Sequence, residues 1–151
     1  MGTDIHGIFQ AQSAGTWKDI PNNLELERNY FLFGILAGVR REEDPISPPR
    51  GLPADFILLD CEDHPLTKLE FSDPFRRKFL ERDTYSGLWR YWMGDHSFSW
   101  LLGGEILSWY EKNPKETWGT FHKDTPEKFF KEVERLQKKH GEIRFVFGFD
   151  S

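Results

Sequence analysis

Strand patterns near both ends of the 151-residue chain, with helical patterns between them, predict an α+β fold. Apolar and polar residues alternate over residues 3–12 and 143–149, which indicates two strands. Helix-start signals precede the helical stretches between them. We therefore expect a small mixed or antiparallel sheet that contains the N- and C-terminal strands, packed against about three to four helices. The length fits one globular domain, residues 1–151.

The first strand places Asp4 and His6 on the same face, because alternate strand residues point the same way. Residues 13–15 predict a hairpin turn, and residues 16–20 predict a second strand. Asn29 is a good helix cap, and the apolar residues after it follow helical spacing as far as Arg40 and Arg41.

Prolines interrupt regular structure over residues 42–55 and predict a stiff, extended loop that carries Arg50. Residues 56–59 fit either a short strand or a helix. Ser72, Asp73 and Pro74 resemble a helix cap with proline at the first helical position, so residues 75–82 are predicted to be helical.

A further helix is predicted from a cap at Ser97 or Ser99 to residue 110, closed by Asn113 and Pro114. Residues 124–127 begin the last helix, and the basic residues 138–140 followed by Gly141 end it. The final strand then occupies residues 143–149.

Composition limits the classes of function. The formal net charge of −5 argues against sequence-independent binding of polymeric nucleic acid, which depends on Lys and Arg neutralising phosphates. A small anionic ligand held by one or two arginines is still allowed. The single Cys61 cannot form an internal disulfide and fits a reducing compartment. With no apolar stretch of membrane-span length and no signal-peptide pattern, we expect a cytoplasmic protein that binds no membrane.

Two short clusters carry the chemistry, and each places a carboxylate beside an imidazole: Asp4 with His6, and Asp95 with His96. If the fold brings them together, His6, His96 and Asp4 are candidate catalytic residues for acid–base or metal-assisted hydrolysis, with Asp150 as a further carboxylate. Asp4, His6, Asp95 and His96 would suit zinc, manganese or iron better than calcium. The alternative is structural: each aspartate caps a turn, and each histidine is satisfied within the fold.

Several residues are candidates for substrate binding. Arg50 lies on a proline-stiffened loop and would lose little entropy on gripping a phosphate, unless Glu42, Glu43 or Asp44 pairs with it. The predicted helix start would offer the amides of residues 97–99 to a phosphate. The other candidates for substrate binding are Ser97, Ser99, Trp100, Asn29 and Tyr30. For three of them a structural role is favoured: Trp100 and Tyr30 as core aromatic residues, and Asn29 as a helix cap.

Three other polar groups are interpreted as structural. Residues 60–64 have a metal-like composition, but contiguous side chains point in different directions, which favours a solvated acidic turn. His122 lies next to a cap and His140 at a helix end, where positive charge suits the helix dipole.

Several motifs in one order resemble a family of small phage and bacterial proteins that begin Met-Gly-Cys-Asp-Ile-His. They are residues 1–6, 28–40, 46–53, 95–101 and 143–150, which include Arg-Asn-Tyr, Pro-Arg-Gly-Leu-Pro and Asp-His-Ser-Phe-Ser-Trp. Thr3 stands where the family has Cys and Gly148 where it often has Trp, so no thiol chemistry carries over to position 3. The resemblance implies a phage origin and a shared polar site, but it brings no activity with it.

From the residues we expect a hydrolase that acts on a phosphodiester or phosphoanhydride of a small nucleotide, linear or cyclic. The first alternative is a binding protein that sequesters a nucleotide signal of host defence. The second is a structural or partner-binding phage protein. The expected partner is a small nucleotide, and a homo-oligomer is allowed.

Overall fold

The computed structural model describes residues 2–41, 44–56, 80–82, 89–119 and 123–151. In these ranges the chain forms six strands, three α-helices and a short 3₁₀ turn, Lys115–Thr117. The strands are β1 (Asp4–Ser13), β2 (Thr16–Ile20), β3 (Leu80–Arg82), β4 (Trp89–Tyr91), β5 (His96–Leu102) and β6 (Ile143–Asp150). The helices are α1 (Tyr30–Ala37), α2 (Gly103–Lys112) and α3 (Asp124–His140).

The chain divides into two compact units. The larger contains residues 1–53 and 94–151, and the smaller contains residues 54–93. That residues 1–151 form a single domain stays a prediction. No helix in the described ranges is both long and apolar enough to span a bilayer.

The larger unit contains a four-stranded antiparallel sheet in the order β2-β1-β6-β5. The predicted α+β class is confirmed, and the first and last strands are neighbours in this sheet, with Asp4 opposite Asp150 and Ile5 opposite Phe149. Because β1 and β5 both run antiparallel to β6, the two strands begin at the end of the sheet where β6 finishes. The polar clusters of the sequence fall at this end.

One face of this sheet forms the core with the helices. Ile5 and Phe9 of β1 and Phe145, Phe147 and Phe149 of β6 are at most 4% exposed. Phe9 lies 6.1 Å from Phe129 of α3, and Phe149 lies 5.2 Å from Phe33 of α1, measured between ring centroids. Full burial of one such ring contributes about 1.5–3 kcal/mol, so these contacts fix which face of β1 points inward. Asp4 and His6 consequently lie on the opposite face.

Helix α1 begins where the sequence predicts and ends earlier. The Asn29 side chain accepts a hydrogen bond of 2.9 Å from the amide of Leu32, which caps the first turn. The helix stops at Ala37 because Gly38 adopts a left-handed conformation, φ 71°, and donates its amide to the Gly34 carbonyl. Arg40 and Arg41 therefore lie beyond the helix.

The predicted start of the second helix is wrong. Residues 96–102 form β5, and the helix begins only at Gly103. Ser99 and Leu101 are fully buried opposite Phe147 and Phe145. Alternate residues are therefore buried, as in a strand, and β6 supplies the backbone hydrogen bonds. Ser97 and Ser99 cap no helix, and His96 stands at a strand start. The predicted end is confirmed, since α2 finishes at Lys112 before Asn113.

Helix α3 follows its prediction at both ends. It begins at Asp124, ends at His140, and is capped by the amide of Gly141, which donates to the Gln137 carbonyl. The predicted apolar stripe is buried and consists of Phe129, Phe130, Val133 and Leu136.

In the smaller unit, β3 and β4 pair antiparallel with Arg82 opposite Trp89. The predicted helix over residues 75–82 is wrong for residues 80–82, whose backbone groups pair with β4 instead. The rest of that helix, its cap at residues 72–74, most of residues 56–59, the acidic turn at 60–64 and His122 lie outside the described residues.

Candidate functional site

His6 and Asp150 form an imidazole–carboxylate pair. His6 Nε2 and Asp150 Oδ2 are joined by a short hydrogen bond, and the two side chains are 22% and 27% exposed. Both residues lie on the sheet face away from the core, because Asp4 pairs directly with Asp150 and His6 follows two residues later on the same face. A carboxylate on one ring nitrogen fixes the orientation of the imidazole.

Asp4 belongs to a second pair on this face. Arg28 donates from Nε to Asp4 Oδ1 at 3.0 Å and from Nη2 to Oδ2 at 3.1 Å. The hydrogen bonds from Arg28 hold the pKa of Asp4 below its ordinary value, and the nearby charge of His6 acts in the same direction. Asp4 therefore stays ionised at neutral pH. An ionised carboxylate has no proton to donate and acts on its surroundings through its charge.

Glycine at position 2 makes room for this arginine. A Cβ atom on Gly2 would lie 1.9 Å from Arg28 Nη1, closer than any side chain tolerates. A side chain at position 2 would therefore shift the flexible end of Arg28 from this position.

A cavity of about 640 Å³ opens beside this ion pair. The cavity is lined by the segment before α1, the first turn of α1, the chain after α1 and the start of α3. The lining residues are Glu27, Arg28, Asn29, Tyr30, Phe31, Arg41, Asp124 and Thr125. Its volume is within the range of small-molecule sites. Arg28 belongs both to the cavity wall and to the pair with Asp4, and Tyr30 is 36% exposed. The predicted ligand residues Asn29 and Tyr30 are thus at a cavity, while Asn29 also caps α1.

His96 lies at the same end of the sheet but on its other face. It is registered opposite Phe149, and its ring stacks on the Phe149 ring with the centroids 6.2 Å apart. His6 is registered opposite Gly148, one residue away on β6, and successive residues of a strand point to opposite faces. The structure therefore brings Asp4, His6 and Asp150 together, and it places His96 across β6 from them.

A chain of hydroxyl groups surrounds His96. Its Nδ1 lies 3.0 Å from Ser97 Oγ, and its Nε2 lies 2.9 Å from Ser151 Oγ. The same Ser151 hydroxyl lies 2.9 Å from Thr3 Oγ1, which accepts a 2.7 Å hydrogen bond from Arg40 Nε. The network therefore holds Ser151, and Ser151 directly follows Asp150, the residue that binds His6.

Backbone strain marks the same network. Arg40 and Ser97 adopt left-handed conformations, with φ values of 64° and 54°. Non-glycine residues rarely do so, and the cost is about 1–3 kcal/mol each. Strain of this kind is stored where the surrounding contacts demand a fixed side-chain position.

Asp95 is peripheral. Its Oδ1 lies 3.9 Å from His96 Nε2, and its side chain is 61% exposed. Among the described residues, no group of three or more His, Cys, Asp or Glu side chains could hold a metal ion. Of the predicted ligands, Asp4 and His6 lie on one face of the sheet and His96 on the other.

Arg50 is held by α2. Its guanidinium forms two hydrogen bonds with the Glu105 carboxylate, donates to the Trp100 carbonyl at 3.2 Å and lies 4.7 Å from the centre of the Trp100 ring. Glu105 raises the pKa of Arg50, and Arg50 lowers that of Glu105. The backbone amide of Arg50 also donates to Ser99 Oγ at 3.1 Å. The proline-rich loop is thereby fastened to β5 and α2, and the arginine's partner is Glu105 rather than Asp44.

Sequence reasoning weighed a ligand role for Arg28 with Asn29 and Tyr30 but favoured a structural one, and it did not single out Thr3, Glu27, Arg40 or Ser151 for the site. Arg28 had a signal, since it directly precedes the Asn29 cap and so had to lie close to the start of α1. The other four residues gave no signal in the sequence, because their partners lie far away along the chain. The separations are 37 to 148 residues for Thr3, Arg40 and Ser151, and 98 residues for Glu27 and its partner on α3.

Comparison with known proteins found no family model, no curated protein and no solved structure that matches the chain.

Proposed function

We propose that the chain is a hydrolase acting on a phosphodiester or phosphoanhydride of a small nucleotide. One observation carries the proposal: a cavity large enough for a nucleotide shares Arg28 with Asp4, and Asp4 lies on the same sheet face as the His6–Asp150 pair. A phosphate-binding cation, an aromatic ring and an acid–base group therefore follow one another along one surface.

Arg28 is suited to hold the phosphate. Its pair with Asp4 uses Nε and one hydrogen of Nη2, and Nη1 packs against Gly2, so a phosphate oxygen would bind the remaining hydrogens of Nη1 and Nη2. Asp4 and Asp150 both raise the pKa of Arg28, so the guanidinium is a permanent positive charge. Tyr30, at the cavity wall, offers an exposed ring on which a base can stack.

His6 is suited to move the proton. Asp150 binds Nε2 and holds the ring in place. Neutral His6 removes a proton from water as the water oxygen attacks phosphorus. The bridging P–O bond breaks, and the leaving oxygen takes a proton from solvent. Ionised Asp150 stabilises the resulting imidazolium, which then returns its proton to solvent.

His96 has a positioning role in this scheme. It touches Ser151, which adjoins Asp150, and its ring packs on Phe149 on the far face of the sheet. It therefore acts on His6 through the end of β6.

The same cavity would also serve a binding protein that sequesters a nucleotide without chemistry, because retention needs Arg28 and Tyr30 but not His6. A bound zinc, manganese or iron ion, a phage origin with a role against host defence, and a cytoplasmic location are further predictions that accompany this proposal.

The test is incubation of the purified protein with linear and cyclic nucleotides, with and without each of the three metals, followed by chromatography of the products. Turnover that His6→Gln and Asp150→Asn both abolish is the expected result. His140→Gln is the matched control, because His140 lies at the far end of α3. Intact ligand retained at one equivalent would instead support sequestration. Unchanged turnover in His6→Gln would overturn the mechanism, and metal analysis of untreated protein tests the metal.

A further inference from the structure

We propose, resting on the function proposed above, that the cavity selects ribonucleotides: Glu27 and Asp124 bind the ribose hydroxyls while Arg28 binds the phosphate. The inference names the sugar and its orientation, which the hydrolase proposal leaves open.

The cavity wall is divided by charge. Glu27 and Arg28 are consecutive, but their side chains go to different elements. The Glu27 carboxylate lies 3.4 Å from the hydroxyl of Thr125 on the first turn of α3, whereas Arg28 turns to Asp4 on β1. Asp124, beside Thr125, adds a second carboxylate on the α3 side. The cavity thus has two carboxylates and a hydroxyl toward α3 and Arg28 next to the sheet, and Arg41, over the Phe31 ring, is a second cation in its wall.

The ligand that fits such a wall is dipolar. A phosphate is attracted to the Arg28 side and repelled from the Glu27 side. Carboxylates accept hydrogen bonds from hydroxyl groups, and an acidic side chain on the ribose 2′-hydroxyl is a recurrent means of recognising a nucleotide. Tyr30 and Phe31 supply aromatic surface at the same cavity. Phosphate, vicinal hydroxyls and an aromatic base in one small molecule describe a ribonucleotide.

A 2′-deoxynucleotide would leave a carboxylate without its hydrogen-bond donor. Glu27 and Asp124 are both exposed, so the loss is one hydrogen bond to an ionised acceptor that water can still reach. We therefore expect the ribonucleotide to bind about fivefold more tightly than its 2′-deoxy counterpart.

The experiment measures dissociation constants by calorimetry for the four ribonucleoside 5′-diphosphates and their 2′-deoxy counterparts. It uses the full chain and the variants Glu27→Gln, Asp124→Asn and Arg28→Gln. Glu25→Gln is the matched control, since this exposed glutamate lies on the same segment and outside the cavity wall. We expect Glu27→Gln and Asp124→Asn to reduce the preference for ribose, Arg28→Gln to weaken both sugars equally, and Glu25→Gln to change neither.

Three outcomes separate the two proposals. Equal affinity of the wild type for ribo- and deoxynucleotides overturns the ribose inference and leaves the hydrolase proposal standing. A ribose preference that persists in the double variant Glu27→Gln/Asp124→Asn also overturns it. Absence of binding by every nucleoside diphosphate, in a protein whose circular dichroism shows it folded, overturns the inference, whereas the hydrolase proposal falls only if no linear or cyclic nucleotide is turned over.

Discussion

His6 and Asp150 come from the first and last strands of one sheet, 144 residues apart, and they meet through a short hydrogen bond on the face that the core does not use. The β1–β6 register sets this contact. Asp4 is opposite Asp150, and His6 lies two residues further along β1 on the same face, within reach of the Asp150 side chain. A register slip of one residue would turn His6 into the core and break the pair.

Removal of the carboxylate should disable the imidazole without unfolding the protein. We expect Asp150→Ala to lower nucleotide turnover about 10²- to 10⁴-fold, the range of general acid–base contributions. The side chain is 27% exposed, so the urea midpoint should change little. Steady-state kinetics beside urea unfolding checks both points. Asp95→Ala is the control, because Asp95 is 61% exposed and contacts His96 rather than His6. Equal losses in the two variants would contradict the assignment.

Replacement of Arg28 should affect substrate binding rather than stability. Lysine keeps the charge but cannot make the paired hydrogen bonds of a guanidinium. We expect Arg28→Lys to raise KM about tenfold or more, while the unfolding midpoint stays near that of the wild type, because Arg28 and Asp4 are each 49% exposed. Arg135→Lys, at another arginine–carboxylate pair on α3, is the control for loss of a guanidinium. Wild-type KM in Arg28→Lys would remove Arg28 from the substrate site.

His96 offers a test of positioning against direct catalysis. If it acts through Ser151 and the end of β6, His96→Ala should lower kcat modestly, leave KM unchanged and keep both limbs of the pH–rate profile. His96→Asn can still hydrogen-bond Ser151 and should recover part of the loss. Loss of one limb in His96→Ala would instead make His96 an acid or base in its own right. The pH dependence of kcat for the three proteins decides between these roles.

The fold was predictable where local pattern and long-range pairing agree. Alternation at both chain ends specified β1 and β6, and residues 124–127 specified the start of α3, because these signals lie within a few neighbouring residues. Residues 96–102 were misread because Leu101, Leu102, Ile106 and Trp109 also fit a helical spacing. The choice of strand depends on β6, more than forty residues further along the chain, so no local window contains it.

The candidate site was predictable only in part for the same reason. That Asp4 and His6 share a strand face follows from two-residue periodicity. That Asp150 rather than His96 faces His6 depends on the register of β6 and on the bulge between His96 and Ser99. Arg50 sits on the predicted loop, yet its partner is Glu105, 55 residues later on a helix whose start was placed too early.

The Arg50–Glu105 pair predicts how stability depends on pH. Arg50 holds the folded pKa of Glu105 below its ordinary value of 4.5. A depressed folded pKa means that the pair stabilises the protein above about pH 4.5 and that this contribution disappears as the pH falls through the folded value. Glu105→Gln should therefore be less stable than the wild type at pH 7, and the difference should shrink at pH 3. Urea unfolding at both pH values measures this difference in stability.

Glu134→Gln is the control, because the Glu134–Lys131 pair is largely exposed and should contribute little at either pH. A wild-type advantage over Glu105→Gln that is undiminished at pH 3 would show that Glu105 stabilises α2 by packing or capping rather than by its charge.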